Sequence, residues 1–177
     1  MSCLKRVFCG LLVAVLISLT GCLGANFQTE PADEEINPPI SAEEQQRMDL
    51  YIAVMKAAFN EENGGSRFIA VHLDTLVGLS DSAKTEVLKE LTDLSLQVYS
   101  FEDVKEDTTK FEFYDAEHHS QTLDGTVLWV EVEEYSETRA LITGVSWFGV
   151  LGAVFPTYEA VYENGTWQLK LISTAIS

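Results

Sequence analysis

The apolar residues of this chain change their period at Val98, and that change constrains the fold more than any other feature of the sequence. Before it, Met48, Ile52, Met55 and Phe59 recur at spacings of four, three and four, which is one stripe of a helix. After it, apolar and polar residues alternate: Leu128, Val130 and Val132 with Trp129, Glu131 and Glu133. A period of two puts one set on each face of a strand. Candidate strands are 97–102, 110–115, 126–135, 139–148, 154–162 and 166–173. Asp124-Gly125 and Asn164-Gly165 are turn dipeptides between them. The second, within 162–167, suits a tight primed hairpin turn, which needs positive φ at both central residues.

The first half is more helical. Ser41-Ala42-Glu43-Glu44 matches a capping box, in which the Ser hydroxyl and the Glu carboxylate satisfy orphan backbone N–H groups. Asn63-Gly64-Gly65 ends that helix. Residues 67–77 alternate imperfectly, with Ile69, Val71, Leu73 and Thr75 opposite Ala70, His72 and Asp74, and read as a strand. Ser80 and Asp81 offer N-caps to a second helix over 82–96, whose apolar stripe is Val87, Leu88, Leu91 and Leu94. Helices first and a run of antiparallel strands last indicate an α+β fold.

That order, with long strands closed by an Asn-Gly-x-Trp hairpin, resembles the nuclear-transport-factor-two-like or cystatin-like architecture over 41–177. The resemblance implies N-terminal helices packed on a curved, mostly antiparallel sheet. The same stretch resembles uncharacterised lipoproteins of Gram-positive bacteria. Such folds host enzymes, binding modules and inert scaffolds alike, so the fold implies no function.

The N-terminus supplies an address. Lys5 and Arg6 precede an uncharged run over 7–19, right for a signal-peptide core and short for a span of about 20 residues. Leu19-Thr20-Gly21-Cys22 then resembles the lipobox of bacterial lipoproteins. The resemblance implies cleavage before Cys22, a diacylglyceryl thioether on its sulfur, palmitate-type acyl chains and a domain held at the cell membrane, facing outside the cytoplasm. An ordinary secretory signal or an uncleaved anchor helix are the alternatives. Each buried methylene contributes about 0.8 kcal/mol, so one chain holds marginally and two hold stably.

The expected organisation is a signal peptide at 1–21, a tether at 22–40 and one α+β domain at 41–177. The tether holds Glu30, Asp33, Glu34 and Glu35, Pro31, Pro38 and Pro39, and no basic residue. Such a composition buries little and stays extended. The three cysteines are Cys3, Cys9 and Cys22. Processing at Cys22 would leave the domain without a free thiol, which excludes disulfides, cysteine nucleophiles and thiolate metal sites there. The formal charge is −17, and removing 1–21 takes two bases and no acid. Nucleic acid is therefore excluded as a partner, because its phosphates require a basic face. Anionic headgroups and anionic wall polymers are disfavoured for the same reason.

Several stretches could carry chemistry. Asp115-Ala116-Glu117-His118-His119 is the densest set of metal-ligand types, and Asp115, Glu117, His118 and His119 are weak candidate ligands. Adjacent histidines in an extended segment point to opposite faces, so the segment reads as a solvated loop, with no metal and no cofactor expected. His72 beside Asp74 reads as a hydrogen-bonded structural histidine. Glu131, Glu133 and Glu134 read as the wet side of a half-buried strand. The sequence has no Gly-x-Ser-x-Gly, phosphate loop, dinucleotide fingerprint or His-Glu-x-x-His.

The most open stretch is 147–156, Trp-Phe-Gly-Val-Leu-Gly-Ala-Val-Phe-Pro. It is either a buried bend between core strands, or the lip of an apolar pocket or a contact patch for a partner, with Trp147, Phe148 and Phe155 as the binding residues. The expected function is a lipid-anchored extracytoplasmic binding or interaction domain, taking an envelope protein or a small apolar ligand. The alternative is a small hydrolase or lyase that uses His72 or His118 with an acidic neighbour in a concave sheet pocket.

Overall fold

Ser41 opens the first helix by accepting the Glu44 backbone N–H on its hydroxyl at 3.1 Å. The Glu44 carboxylate has a further task. It accepts the Ser80 backbone N–H at 2.5 Å, and that hydrogen bond is the main cause of its lowered pKa. Ser80 is the N-cap of the second helix, so one carboxylate ties the starts of both helices together. The structure is a computed structural model that describes residues 39–115 and 118–177. Residues 1–38, which hold Cys22 and most of the tether, and Ala116 and Glu117 lie outside the described residues.

The helices are α1 (Ala42–Glu61), α2 (Asp81–Glu90) and the short α3 (Phe101–Val104). The described strands are β1 (Phe68–Val71), β2 (Val98–Ser100), β3 (Phe111–Phe113), β4 (His119–Thr122), β5 (Gly125–Tyr135), β6 (Arg139–Gly149), β7 (Gly152–Glu163) and β8 (Thr166–Ile176). They form one strongly curled sheet running β2-β1-β5-β6-β7-β8, with β4 and β3 attached at the end of β6 through Gln121 and Gly149. β1 lies parallel to β2 and β5, and the other pairs are antiparallel. The fold is α+β, with its N-terminal helices on a curved, mostly antiparallel sheet.

Helix α1 lies against β5, β6, β7 and β8. Its buried set is correspondingly wider than the stripe of Met48, Ile52, Met55 and Phe59, and adds Leu50, Tyr51, Val54 and Ala58. Gly144 of β6 lets the helix approach. A Cβ there would stand 2.8 Å from Val54 Cγ1 and 2.9 Å from the Val54 carbonyl. The β7–β8 hairpin closes through Asn164 and Gly165, with φ of 54° and 81°. Trp167 follows, and its indole N–H donates to the Gln46 carbonyl of α1 at 2.8 Å.

The main core holds the inner sides of α1 and α2 and one sheet face, including Ile69, Val71, Leu128, Val130, Ile142 and Tyr158. A smaller cluster sits on the opposite face of β1 and β5. It contains Phe68, Ala70, Val104, Phe111 and Val127, with Phe101, Phe113, Trp129 and Trp147 packed against it.

Five local expectations change. The strand over 67–77 is only Phe68–Val71, because β1 is paired on both sides and buried on both faces. The chain then leaves the sheet in a 3₁₀ turn at Leu73–Thr75, where the Thr75 hydroxyl donates to the His72 carbonyl at 2.8 Å. The helix over 82–96 stops at Glu90 and tightens into a 3₁₀ turn at Leu91–Asp93. There the Thr92 hydroxyl donates to the Lys89 carbonyl at 2.6 Å, in competition with the helical ladder. The strand over 97–102 ends at Ser100 as α3 begins. His119, placed in a loop by its polar neighbours, starts β4. Finally, a bulge between Val132 and Glu134 breaks the alternation of β5. Glu131 pairs with Thr143 and Glu134 with Leu141, so Glu134 shares the face of Glu131, and Glu133 is the unpaired bulge residue; all three are exposed.

Candidate functional site

The face of the sheet away from α1 carries large side chains where sequence alternation leads one to expect solvent. Val127 pairs with Trp147, and Trp129 with Val145, across β5 and β6. The two tryptophans are half-buried. Their indoles, with Phe101 of α3 and Val127, form the apolar wall of a cavity of about 270 Å³. His72, His118 and His119 complete it, and these are all three histidines of the chain.

Each imidazole arrives by a different route. His72 sits where the chain leaves β1 for its 3₁₀ turn. Its ring lies 4.0 Å, centroid to centroid, from Phe101 at 36°, and meets Trp129 edge-on at 5.5 Å. Burial lowers its pKa, the nearby His119 adds to that, and Asp74 and Glu102 oppose it. Asp74 Oδ1 lies 3.7 Å from His72 Nδ1, beyond hydrogen-bond distance. The expected structural hydrogen bond to Asp74 is therefore replaced by ring packing.

His119 is wedged among Phe101, Phe111 and Phe113, with centroids at 5.4, 4.8 and 4.8 Å. Its Nε2 stands 2.5 Å from the Lys105 carbonyl oxygen. A carbonyl only accepts, so Nε2 bears the hydrogen, and in the neutral ring Nδ1 is a lone pair. His118 is exposed, and its Nδ1 lies 2.9 and 3.1 Å from the two Asp115 carboxylate oxygens. By the same reasoning its Nδ1 bears a hydrogen, and in the neutral ring Nε2 is the lone pair. The adjacent histidines thus engage different partners, yet both line the cavity.

The rim is acidic. The Trp129 indole N–H donates to Glu131 Oε1 at 3.1 Å, Asp115 holds His118, and Asp74 flanks His72. Among the described residues, no three histidine or carboxylate side chains are grouped to hold one metal ion. Glu117, one of the weak candidate ligands, lies outside them.

The three residues proposed for the 147–156 segment do not form one patch. Trp147 lines the cavity. Phe148 points to the other face, where its ring would collide with a Cβ on Gly64 or Gly152. Phe155 is half-buried on β7. The exposed apolar residues of the segment are Val150 and Leu151, at the β6–β7 turn.

Phe101, Val127 and Trp129 were not singled out from sequence. A tryptophan at a nominally wet position of a strand was the available signal. A larger depression, about 540 Å³, lies near the β5–β6 turn with Glu134, Arg139, Glu159 and Ile172 around it. Its lining mixes Glu134, Arg139, Glu159 and Ser136 with Leu141, Ile172 and a single aromatic ring, Tyr135, and includes no imidazole. Compared with family models, with curated proteins and with solved structures, the chain matches none.

Proposed function

We propose that this chain is a lipid-anchored extracytoplasmic binding domain whose ligand site is the imidazole–indole cavity. The observation behind the site is the convergence of all three histidines and two of the three tryptophans on one hollow. Aromatic walls with a few oriented polar atoms are the usual make-up of a small-molecule pocket. The anchor rests on Leu19-Thr20-Gly21-Cys22 and its flanking run. No helix among the described residues is long and apolar enough to cross a membrane.

The site is tested on full-length protein in detergent, by thermal shift and tryptophan fluorescence against a small-molecule panel. A ligand should raise the Tm of wild type and leave that of Trp147→Leu unchanged. A panel in which no compound discriminates the two proteins sinks the cavity reading. The anchor is tested by the intact mass of membrane-extracted protein: Cys22→Ala should lose both the acyl mass and the membrane fraction.

A second reading has its own observation. His118 and Asp115 form a hydrogen-bonded imidazole–carboxylate pair at the cavity edge, the arrangement a general base needs. A hydrolase or lyase would use His118 Nε2 to take a proton from water or substrate. Among the described residues, no Ser, Thr, Cys or Lys side chain lines the cavity. Substrate turnover abolished by His118→Gln would establish it.

A further inference from the structure

We propose that the ligand of this cavity is a small protonated amine, held between indole faces and imidazole lone pairs. The inference rests on the reading of the cavity as a ligand site and adds the chemical class. Four features converge on it.

The first is the wall. Trp129, Trp147 and Phe101 line it, and indole is the best natural partner for a cation. Among the described residues, no Lys or Arg lines the cavity. The second is hydrogen-bond polarity. In the neutral rings, His119 Nδ1 and His118 Nε2 are the acceptors, because their other nitrogens donate to the Lys105 carbonyl and to Asp115. Acceptors in a pocket call for a ligand that donates, and an ammonium is all donor. A carboxylate or phosphate ligand would set lone pair against lone pair.

The third feature is the charge around the mouth. Glu131 touches Trp129 and Asp74 flanks His72. Among the described residues, neither carboxylate has a Lys or Arg ion-pair partner. The bases nearby are already used: Lys105 pairs with Glu102 and Lys110 with Asp107, each at 2.6 Å. The rim therefore carries negative charge unmatched by the protein itself. With a formal charge of −17 on the chain, the long-range field also favours an incoming cation. The fourth is size. At about 30 Å³ per water-sized atom group, 270 Å³ holds about nine non-hydrogen atoms, which fits a monoamine with a ring or short chain.

The test is titration calorimetry on the full chain in detergent at neutral pH, with three probes of one shape: benzylammonium, benzyl alcohol and benzoate. Benzylammonium should bind about tenfold or more tighter than benzyl alcohol, and benzoate should not bind. Added salt should weaken benzylammonium and leave the alcohol unchanged. Glu131→Gln, which keeps an acceptor for Trp129, should weaken benzylammonium about threefold without affecting the alcohol. Equal binding of amine and alcohol, or tighter binding of benzoate, overturns the amine assignment while leaving the cavity as a ligand site. Binding of none of the three at millimolar concentration overturns the assignment, and Trp147→Leu in the broader panel then decides the cavity reading separately.

Discussion

The Trp129 indole N–H donates to the carboxylate of Glu131, two residues along the same face of β5, at 3.1 Å. The side chain that gives the cavity its wall is thus oriented by one that sequence alternation assigns to solvent. Glu131→Ala should free the indole. Near-UV circular dichroism and the tryptophan emission maximum should change, while stability falls by less than about 1 kcal/mol because the carboxylate is exposed. An unchanged near-UV spectrum would show that packing alone holds the ring.

His72 should make stability pH-dependent in the mildly acid range. Burial lowers its pKa from the ordinary 6.5, so the unfolded chain takes up a proton before the folded one does. Stability from this group is complete above about 6.5 and is lost as pH falls from there through the lowered native value. Melting curves of wild type between pH 8 and 5 should therefore fall more steeply than those of His72→Gln. Asp107 works in a separate window. Its pKa is held at about 2, first by the Lys110 hydrogen bond and then by Thr109, so its contribution disappears only in strong acid. Parallel curves for the two proteins would refute the role of His72.

Gly144 and Gly149 lie on the same strand and should respond differently to a methyl group. At Gly144 the new Cβ meets Val54 and Ala58 of α1 at 2.8–3.0 Å, partly against backbone. Gly144→Ala should cost about 1–3 kcal/mol, as overpacking does. At Gly149 the nearest atom is Gln121 Cβ at 3.4 Å, an ordinary contact. Gly149→Ala should stay within about 0.5 kcal/mol of wild type in urea unfolding. The reverse order would mean that α1 does not sit on β6 as described.

Among the described residues, the buried Tyr158 hydroxyl has no hydrogen-bond partner. Burial, with Glu61 adding to it, pushes the phenol up to about 12. Tyr158→Phe should be neutral or stabilising by up to about 1 kcal/mol, since it removes an unpaired polar group. It should also flatten the alkaline loss of stability, which for the wild-type phenol begins above about 10 and continues toward 12. A clear loss of stability in the variant would reveal that the hydroxyl is paired.

Ser146 is fully buried, and its hydroxyl donates to the Glu62 carbonyl just past the end of α1 at 2.6 Å. Ser146→Ala should cost about 1 kcal/mol. Because the bond joins helix to sheet, hydrogen exchange should quicken at the end of α1 before the loss is global. Unchanged exchange there would remove this contact from the anchoring of the helix.

Much of the fold was legible because it is local. The stripe of α1 and the alternation of β5 to β8 report period directly, and Asn164-Gly165 needs the positive φ that it has. Where sequence and structure differ, the deciding contact comes from far along the chain. Nothing in Arg67-Phe68-Ile69-Ala70-Val71 says that β2 and β5 flank it, so the alternation over 67–77 overstates the length of β1. The bulge between Val132 and Glu134 leaves no mark in alternation. β4 has no apolar alternation because its residues are polar and its partners are β3 and one residue of β6.

Composition, period and short spacing are enough to give the class of the fold, the hairpin that ends it, the acidity and the absence of any familiar catalytic motif. That His72, His118 and His119 meet Trp129 and Trp147 in one cavity, and that Trp147 and Phe148 part to opposite faces, comes from the folded sheet alone. Proximity across strands is set by register and bulges. Those are fixed when the whole sheet curls around α1, and one strand read alone does not contain them.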